Sequence, residues 1–141
     1  MNVREACEAC LPAHQHDCSG FARALASELG VALTGLANQI VDTLRAGGAW
    51  RQLPDGPAAQ ASVAAGNLVL AGLRGDEQVR PDEHGHVVVV VDGPLNRGRY
   101  PSAYWGSLGG QPGRFQTINW AWNEQDRDRV TYAERRLTAA A

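Results

Sequence analysis

The sequence predicts an α+β domain in which helices pack against an antiparallel sheet. Two observations support this class. Residues up to about position 65 carry apolar side chains at helical spacing, whereas the later residues form short apolar runs separated by polar or glycine-rich loops. A helical half followed by a strand-rich half is the order expected of an α+β domain. The 141 residues suit one domain, 1–141, with a single core.

The first two helices surround a short polar loop. Residues 3–10 are predicted to form a short helix, and Leu11 to Asp17 a loop. From Cys18 to Leu29 apolar side chains recur every three or four residues, which indicates an amphipathic helix. Gly30 is suited to end it. The apolar positions of this second helix are Phe21, Ala22, Leu25, Ala26 and Leu29.

Two further helices complete the first half. One is predicted over residues 35–46, ended by Gly47 and Gly48, and an alanine-rich one over residues 58–65. The side chains of the first of these that we expect in the core are Leu36, Ile40, Val41 and Leu44.

Four strands are predicted in the second half. Residues 67–71 form the first, followed by a charged loop over 74–83. Residues 86–91 are apolar on both faces and should lie at the centre of the sheet. Residues 100–107 form a third strand, at an edge because of Pro101.

The end of the chain is predicted to return to helix. Residues 117–122 form the fourth strand, after a glycine-rich loop. Residues 126–137 then form a closing helix, and residues 139–141 an alanine tail that frays.

Composition excludes several functional classes. The net charge is −2, and all 13 basic residues are arginine, so no basic surface for nucleic acid is expected. No apolar run approaches the ~20 residues of a membrane span. The N-terminal residues carry no apolar signal core, which predicts synthesis in the cytoplasm without a cleavable signal.

Cys18 stands at the predicted start of the second helix. There the helix dipole and free N–H groups stabilise an anion, and a cysteine attacks carbonyls as the thiolate. The backbone N–H groups of Cys18 and Ser19 would face a tetrahedral oxyanion. Gly20 leaves space beside the thiol. A small buried hydrophobe, the ordinary role of a free cysteine, is the alternative at this point.

His86 opens the run of five valines, 87–91. It shares a strand face with Val88 and Val90, the core side, where a titratable ring needs a partner. The order of helices and sheet allows His86 to meet Cys18 as a base paired with a nucleophile. A structural histidine at a strand start is the competing interpretation.

Metal binding is a second claim on the N-terminal residues. Cys7, Cys10, His14, His16 and Cys18 fall within one short segment, in C-x-x-C and H-x-H spacing. They lack the second, well-separated pair that a structural zinc site uses, so we predict no metal and no cofactor. A zinc-binding interaction module on Cys7, Cys10 and His16 is the non-enzymatic alternative.

Several motifs resemble a known superfamily. DCSGF at 17–21, followed by GHVVVV at 85–90, resembles the NlpC/P60 cysteine peptidases. Further segments are similar to one branch, the family-one amidase effectors of type VI secretion, across residues 16–132. These segments include FARALASELG at 21–30, LAGL at 70–73, GPL at 93–95, WN at 122–123 and DRDR at 126–129.

The resemblance implies a papain-like NlpC/P60 fold and a peptidoglycan DL-endopeptidase. Such enzymes cut the stem peptide between γ-D-glutamate and meso-diaminopimelate. By motif, Cys18 corresponds to the nucleophile and His86 to the base. Many members carry a third polar residue on the next strand that orients the histidine. Trp105 falls near that position here, so the candidates for orienting His86 are a backbone carbonyl and Ser102.

The resemblance also implies a substrate groove and partners. Gly35 and Asn38 are candidates for lining the groove. Family members are made without a signal sequence, loaded into the secretion tube protein and injected into a rival's periplasm, where a cognate immunity protein protects kin. A cysteine acyltransferase or transamidase using the same pair is the alternative enzyme.

Overall fold

The computed structural model describes residues 2–137 and confirms the α+β class. Within that range it contains four α-helices and a six-stranded antiparallel sheet of order β1-β6-β2-β3-β4-β5. The helices are α1 Val3–His14, α2 Cys18–Glu28, α3 Ala37–Arg45 and α4 Gly56–Ala64. The strands are β1 Arg51–Leu53, β2 Leu68–Leu73, β3 His86–Val90, β4 Ser102–Trp105, β5 Gly113–Thr117 and β6 Thr131–Arg135. No helix between residues 2 and 137 has the length and apolar character needed to cross a bilayer.

The first helix is longer than predicted. It begins with a capping box, in which the Glu5 N–H donates to Asn2 Oδ1 at 2.8 Å. It then continues past residue 10 through Pro12, so part of the predicted loop is helical. Proline lacks a donor, but near the end of a helix it removes only one hydrogen bond. Buried Leu11 keeps the last turn packed on the core.

The other three predicted helices are confirmed with small shifts at their ends. Gly30 takes a φ of +78°, the left-handed conformation expected of a residue that ends α2. Leu36 is an exception, since its side chain is 60% exposed. It occupies the N-cap of α3, outside the helical stripe that buries Ile40, Val41 and Leu44.

The valine strand lies at the centre of the sheet, as predicted. Strand β3 pairs with β2 on one side and β4 on the other. The valines from 87 to 91 are fully buried, so both faces of the strand are covered. On β2, a Cβ at Gly72 would lie 2.7 Å from a methyl carbon of Val41, so α3 packs directly on the strand backbone.

The strand after β3 is not an edge strand, which corrects one prediction. Strand β4 pairs with β3 and also with β5. Pro101 precedes the strand, so its missing N–H interrupts no ladder bond. The carbonyl of Pro101 accepts a hydrogen bond from the Ile118 N–H at 3.0 Å, which fastens the end of β5 beside it.

The predicted strand at 117–122 is wrong. Strand β5 ends at Thr117, and Ile118–Trp120 forms a short 3₁₀ helix. The β4–β5 ladder contains a register shift, and Phe115 takes a φ of +52° within it. Pairing with β4 therefore places the strand earlier in the chain than local apolar content indicates.

The predicted closing helix at 126–137 is also wrong. Asn123 Oδ1 accepts hydrogen bonds from the N–H groups of Gln125 and Asp126, which makes a turn instead. The residues that follow form β6, which inserts between β1 and β2 and buries Tyr132 and Ala133. Sheet pairing overrides the local preference here. The predicted alanine tail at 139–141 lies outside the described residues.

The segment joining β2 to β3 is fastened at two points. The Asn38 side chain accepts from the Gly75 N–H at 2.9 Å and donates to the Glu83 carbonyl at 2.9 Å. The buried carboxylate of Asp126 accepts from the Val79 N–H at 2.9 Å. Both contacts hold the chain as it enters β3.

Replacing Asp126 by alanine should lower the free energy of unfolding by about 1–3 kcal/mol, because the Val79 N–H loses its acceptor in a part-buried position. Denaturant unfolding measures the change. Glu124→Ala is the control, since Glu124 is exposed in the same segment and should stay within about 0.5 kcal/mol of the parent. Equal effects of the two substitutions would contradict the assigned role.

Asn38→Asp should loosen the entry into β3. The acceptor for Gly75 is kept, but the donor to the Glu83 carbonyl becomes an oxygen that repels it. Hydrogen exchange of amides between Glu83 and His86 should accelerate, while amides in α2 exchange as before. Unchanged exchange in that segment would mean that Asn38 does not hold it.

Candidate active site

The first turn of α2 is organised by Asp17. Its carboxylate Oδ1 accepts from the Gly20 N–H at 3.0 Å and from the Ser19 hydroxyl at 3.1 Å. A Cβ at Gly20 would overlap this carboxylate, so Gly20 makes room for the cap rather than for the thiol. Cys18 is thereby fixed as the first residue of the helix.

The turn before Cys18 is attached to the sheet through its backbone. The Ser107 N–H, just beyond β4, donates to the Gln15 carbonyl at 3.0 Å. A Cβ at Gly106 would overlap the His14 carbonyl oxygen and lie 2.7 Å from that of Asp17. Backbone meets backbone here, so the start of α2 has a defined position relative to β4.

The sulfur of Cys18 lies against the start of β3. It accepts a hydrogen bond from the backbone N–H of Val87, the residue after His86. The N–H groups of Cys18 and Ser19 also lower the pKa of the thiol, and within residues 2–137 neither donates to a backbone carbonyl. Cys18 is 8% exposed and opens into a groove of about 650 Å³. A ligand in the groove can therefore reach the thiol.

Burial dominates the electrostatics of this thiol. It raises the pKa of Cys18 above its ordinary value, and the nearby Asp17 carboxylate adds to the rise, outweighing the backbone hydrogen bonds that lower it. The Gly20 N–H in turn lowers the pKa of Asp17, which keeps that carboxylate charged. At neutral pH the resting group is a thiol, contrary to the expectation that its surroundings favour the thiolate.

His86 is half-buried at the first position of β3. Burial lowers its pKa to about 4, because the charged imidazolium is disfavoured away from water. At neutral pH the imidazole is therefore uncharged and able to accept a proton. The Cys18 thiol and the His86 imidazole are therefore both uncharged at neutral pH.

Two indoles surround the imidazole. The ring centroids of His86 and Trp122 lie 5.2 Å apart at 68°, and those of His86 and Trp105 lie 6.5 Å apart at 87°. Both are edge-to-face arrangements. A Cβ at Gly113 would overlap the Trp105 indole, so that ring lies directly over the β5 backbone. Between residues 2 and 137, no side-chain hydrogen bond reaches the imidazole.

Neither third-position candidate supplies a hydrogen-bond acceptor to His86. Ser102 lies beside Val91, whose N–H donates to its carbonyl at 2.9 Å, and Val91 is roughly 16 Å along the strand from His86. The Ser102 hydroxyl donates to the Pro94 carbonyl at 2.7 Å. Trp105 contacts the imidazole, but an indole is only a donor.

Only one of the two groove candidates lines the groove. Asn38 lines the groove beside Cys18, although both ends of its amide are engaged with the loop before β3. Gly35 does not line it, and its carbonyl accepts from Arg23 at 2.8 Å. The groove rim also carries two exposed leucines, Leu36 and Leu108, which sequence reasoning missed. Leu36 matches the apolar spacing of α3, and Leu108 lies in a loop. Neither position therefore indicated an exposed leucine beside a groove.

The residues of the zinc alternative do not converge. Cys7 is buried in α1, where burial raises its pKa well above the ordinary value, and His16 lines the groove. Within the part of the chain that the structure describes, no group of three or more His, Cys, Asp or Glu side chains has metal-binding geometry. Cys7, Cys10 and His16 thus form no ligand set.

Comparison with known proteins places the chain in a family. It is 41% identical over 123 residues to the peptidoglycan amidase Tse1 of Pseudomonas aeruginosa, covering 84% of this chain and 75% of that protein. No protein-family model matches the chain. The similarity agrees with the DCSGF and GHVVVV motifs and with the resemblance to family-one type VI amidase effectors. An α+β fold, a thiol at a helix start in an open groove, and identity at this level over most of both chains lead to one conclusion: the protein belongs to the family of the peptidoglycan amidase Tse1.

Proposed function

We propose that this protein is a peptidoglycan amidase that cleaves the bond between γ-D-glutamate and meso-diaminopimelate in the stem peptide. The observation that carries the proposal is the position of the Cys18 sulfur. It opens into a groove and accepts a hydrogen bond from the residue next to His86. The similarity to the peptidoglycan amidase Tse1 supports the substrate class.

Acylation begins with a neutral pair. His86 accepts the thiol proton as Cys18 Sγ attacks the γ-glutamyl carbonyl carbon, so the thiolate is generated at the moment of attack. The carbonyl oxygen becomes an oxyanion held by the N–H groups of Cys18 and Ser19. When the intermediate collapses, the C–N bond breaks and His86 donates its proton to the departing diaminopimelate amine.

Deacylation repeats the steps with water. His86 takes a proton from a water molecule that attacks the thioester carbon, and the same N–H groups hold the second oxyanion. The C–S bond breaks, the sulfur recovers its proton from His86, and a free glutamate carboxyl leaves. A transferase would differ only here, because an amine in place of water would give a new amide.

The proposal extends to delivery and partners. We include export through the type VI tube protein into the periplasm of a rival cell, and a cognate periplasmic immunity protein that covers the groove. The exposed Leu36 and Leu108 on the rim support such a contact, because apolar side chains of this size beside a site are suited to being buried by a partner.

Cys18→Ala should abolish cleavage of purified muropeptides, because the variant lacks the sulfur that forms the proposed acyl intermediate. Mass spectrometry follows the products, and a free diaminopimelate amine identifies hydrolysis. Cys10→Ala is the matched control, since it removes a thiol from α1 and should leave cleavage unchanged. Cleavage by the Cys18 variant at the parent rate would exclude this nucleophile, and a new amide in the products would indicate a transferase.

The acid limb of kcat/KM should lie near pH 4. His86 accepts the thiol proton only when it is uncharged, so activity falls as the pH drops through its pKa of about 4 and is retained above it. Initial rates on a soluble muropeptide between pH 3.5 and pH 7.5 measure the limb, with circular dichroism confirming that the protein stays folded. A limb near 6.5, the ordinary histidine value, would contradict a buried neutral base.

A further inference from the structure

We propose that Trp122 is a positioning residue that holds the His86 imidazole through edge-to-face contact. The proposal rests on the proposed role of His86 as the base. The two rings lie 5.2 Å apart at 68°, inside the range of favourable aromatic pairs.

An imidazole without a polar partner needs another restraint. The last side-chain torsion of histidine is broad and roughly two-fold, so the ring can turn and exchange the places of its two nitrogens. Only one nitrogen at a time can face the thiol. Because no side-chain hydrogen bond from residues 2–137 reaches the His86 ring, packing is the restraint that this part of the chain provides.

Trp122 is built to be a rigid wall. It is 6% exposed, and its backbone N–H donates to the Ile118 carbonyl at 3.2 Å. The following turn is closed by Asn123 and anchored by the buried Asp126 to Val79, in the segment that leads into β3. Trp122 and the strand that carries His86 are therefore both attached to the loop between β2 and β3.

The indole N–H of Trp122 indicates that this ring does more than fill space in the core. It is buried and has no hydrogen-bond partner among residues 2–137. Such a group is unfavourable, and a phenylalanine would avoid it. The larger ring is present despite this penalty, which is explained if its area against the imidazole matters.

Trp105 restrains the imidazole less than Trp122 does. Its ring lies farther from the imidazole, at 6.5 Å, and already packs over the Gly113 backbone. Removing Trp122 would therefore leave His86 with only the more distant of its two aromatic neighbours and open its ring to water. Both changes act on the base without touching the substrate.

The test compares Trp122→Leu, Trp122→Phe and Trp120→Leu. The last is the control, because Trp120 is 74% exposed in the same segment. We expect Trp122→Leu to lower kcat by roughly 10- to 100-fold while KM changes by less than about 2-fold, because misplacing a catalytic group affects chemistry rather than binding. The acid limb should move up towards 6.5 as water reaches the ring.

The second readout needs no turnover. The pKa of His86, followed by NMR of its ring protons, should rise in Trp122→Leu and stay at the parent value in Trp120→Leu. Trp122→Phe should fall between the parent and the leucine variant in both kcat and acid limb. If the leucine variant fails to fold, the phenylalanine variant decides the question, and parent values for it overturn the proposal.

The outcomes separate this inference from the proposed function. If His86→Gln retains full activity, the base assignment fails, and the inference fails with it. If His86→Gln is inactive but folded Trp122→Leu keeps the parent kcat and acid limb, only the positioning role is overturned. A lower kcat explained by less folded protein, with an unmoved acid limb and an unmoved pKa of His86, also overturns it.

Discussion

The hydrogen bond from the Val87 backbone N–H to the Cys18 sulfur joins the helical half of the molecule to its sheet. The proposed site depends on this contact, because it places the Cys18 sulfur against Val87, the residue that follows His86. Backbone contacts around Gly106 and Gln15 fix the approach from the other side. The donor is a backbone N–H of β3 and the acceptor belongs to the first residue of α2, so the geometry is preorganised before any ligand binds.

Burial determines the charge state of the pair. A helix start and a neighbouring histidine favour a thiolate, but removal from water disfavours the charged forms of both Cys18 and His86. A neutral resting pair avoids placing an unsolvated ion in the core, which is expensive. In the mechanism we propose, proton transfer to His86 is then part of the attack itself, so the rate depends on the orientation of the imidazole.

The surroundings of the imidazole are aromatic rather than polar. Trp105 and Trp122 contact the ring, while Ser102 lies beside Val91, beyond the opposite end of β3 from His86. Packing of this kind restricts a ring without changing its hydrogen-bonding capacity, whereas a polar residue would restrict it and also favour the protonated form. The same apolar surroundings thus lower the pKa of His86 and offer its ring no hydrogen-bond partner within residues 2–137.

Local sequence determined the elements whose signal is periodic. Helix α2, the buried stripe of α3 and the central strand β3 follow from apolar spacing, and the motifs around Cys18 and His86 follow from the order of residues. Tertiary structure alone decided β6, which forms because β1 and β2 offer it partners, and the interior position of β4. It also decided the neutral charge state and the indole walls, because desolvation and ring contacts arise from residues far apart in the chain. Spacing along the sequence carries no information about either.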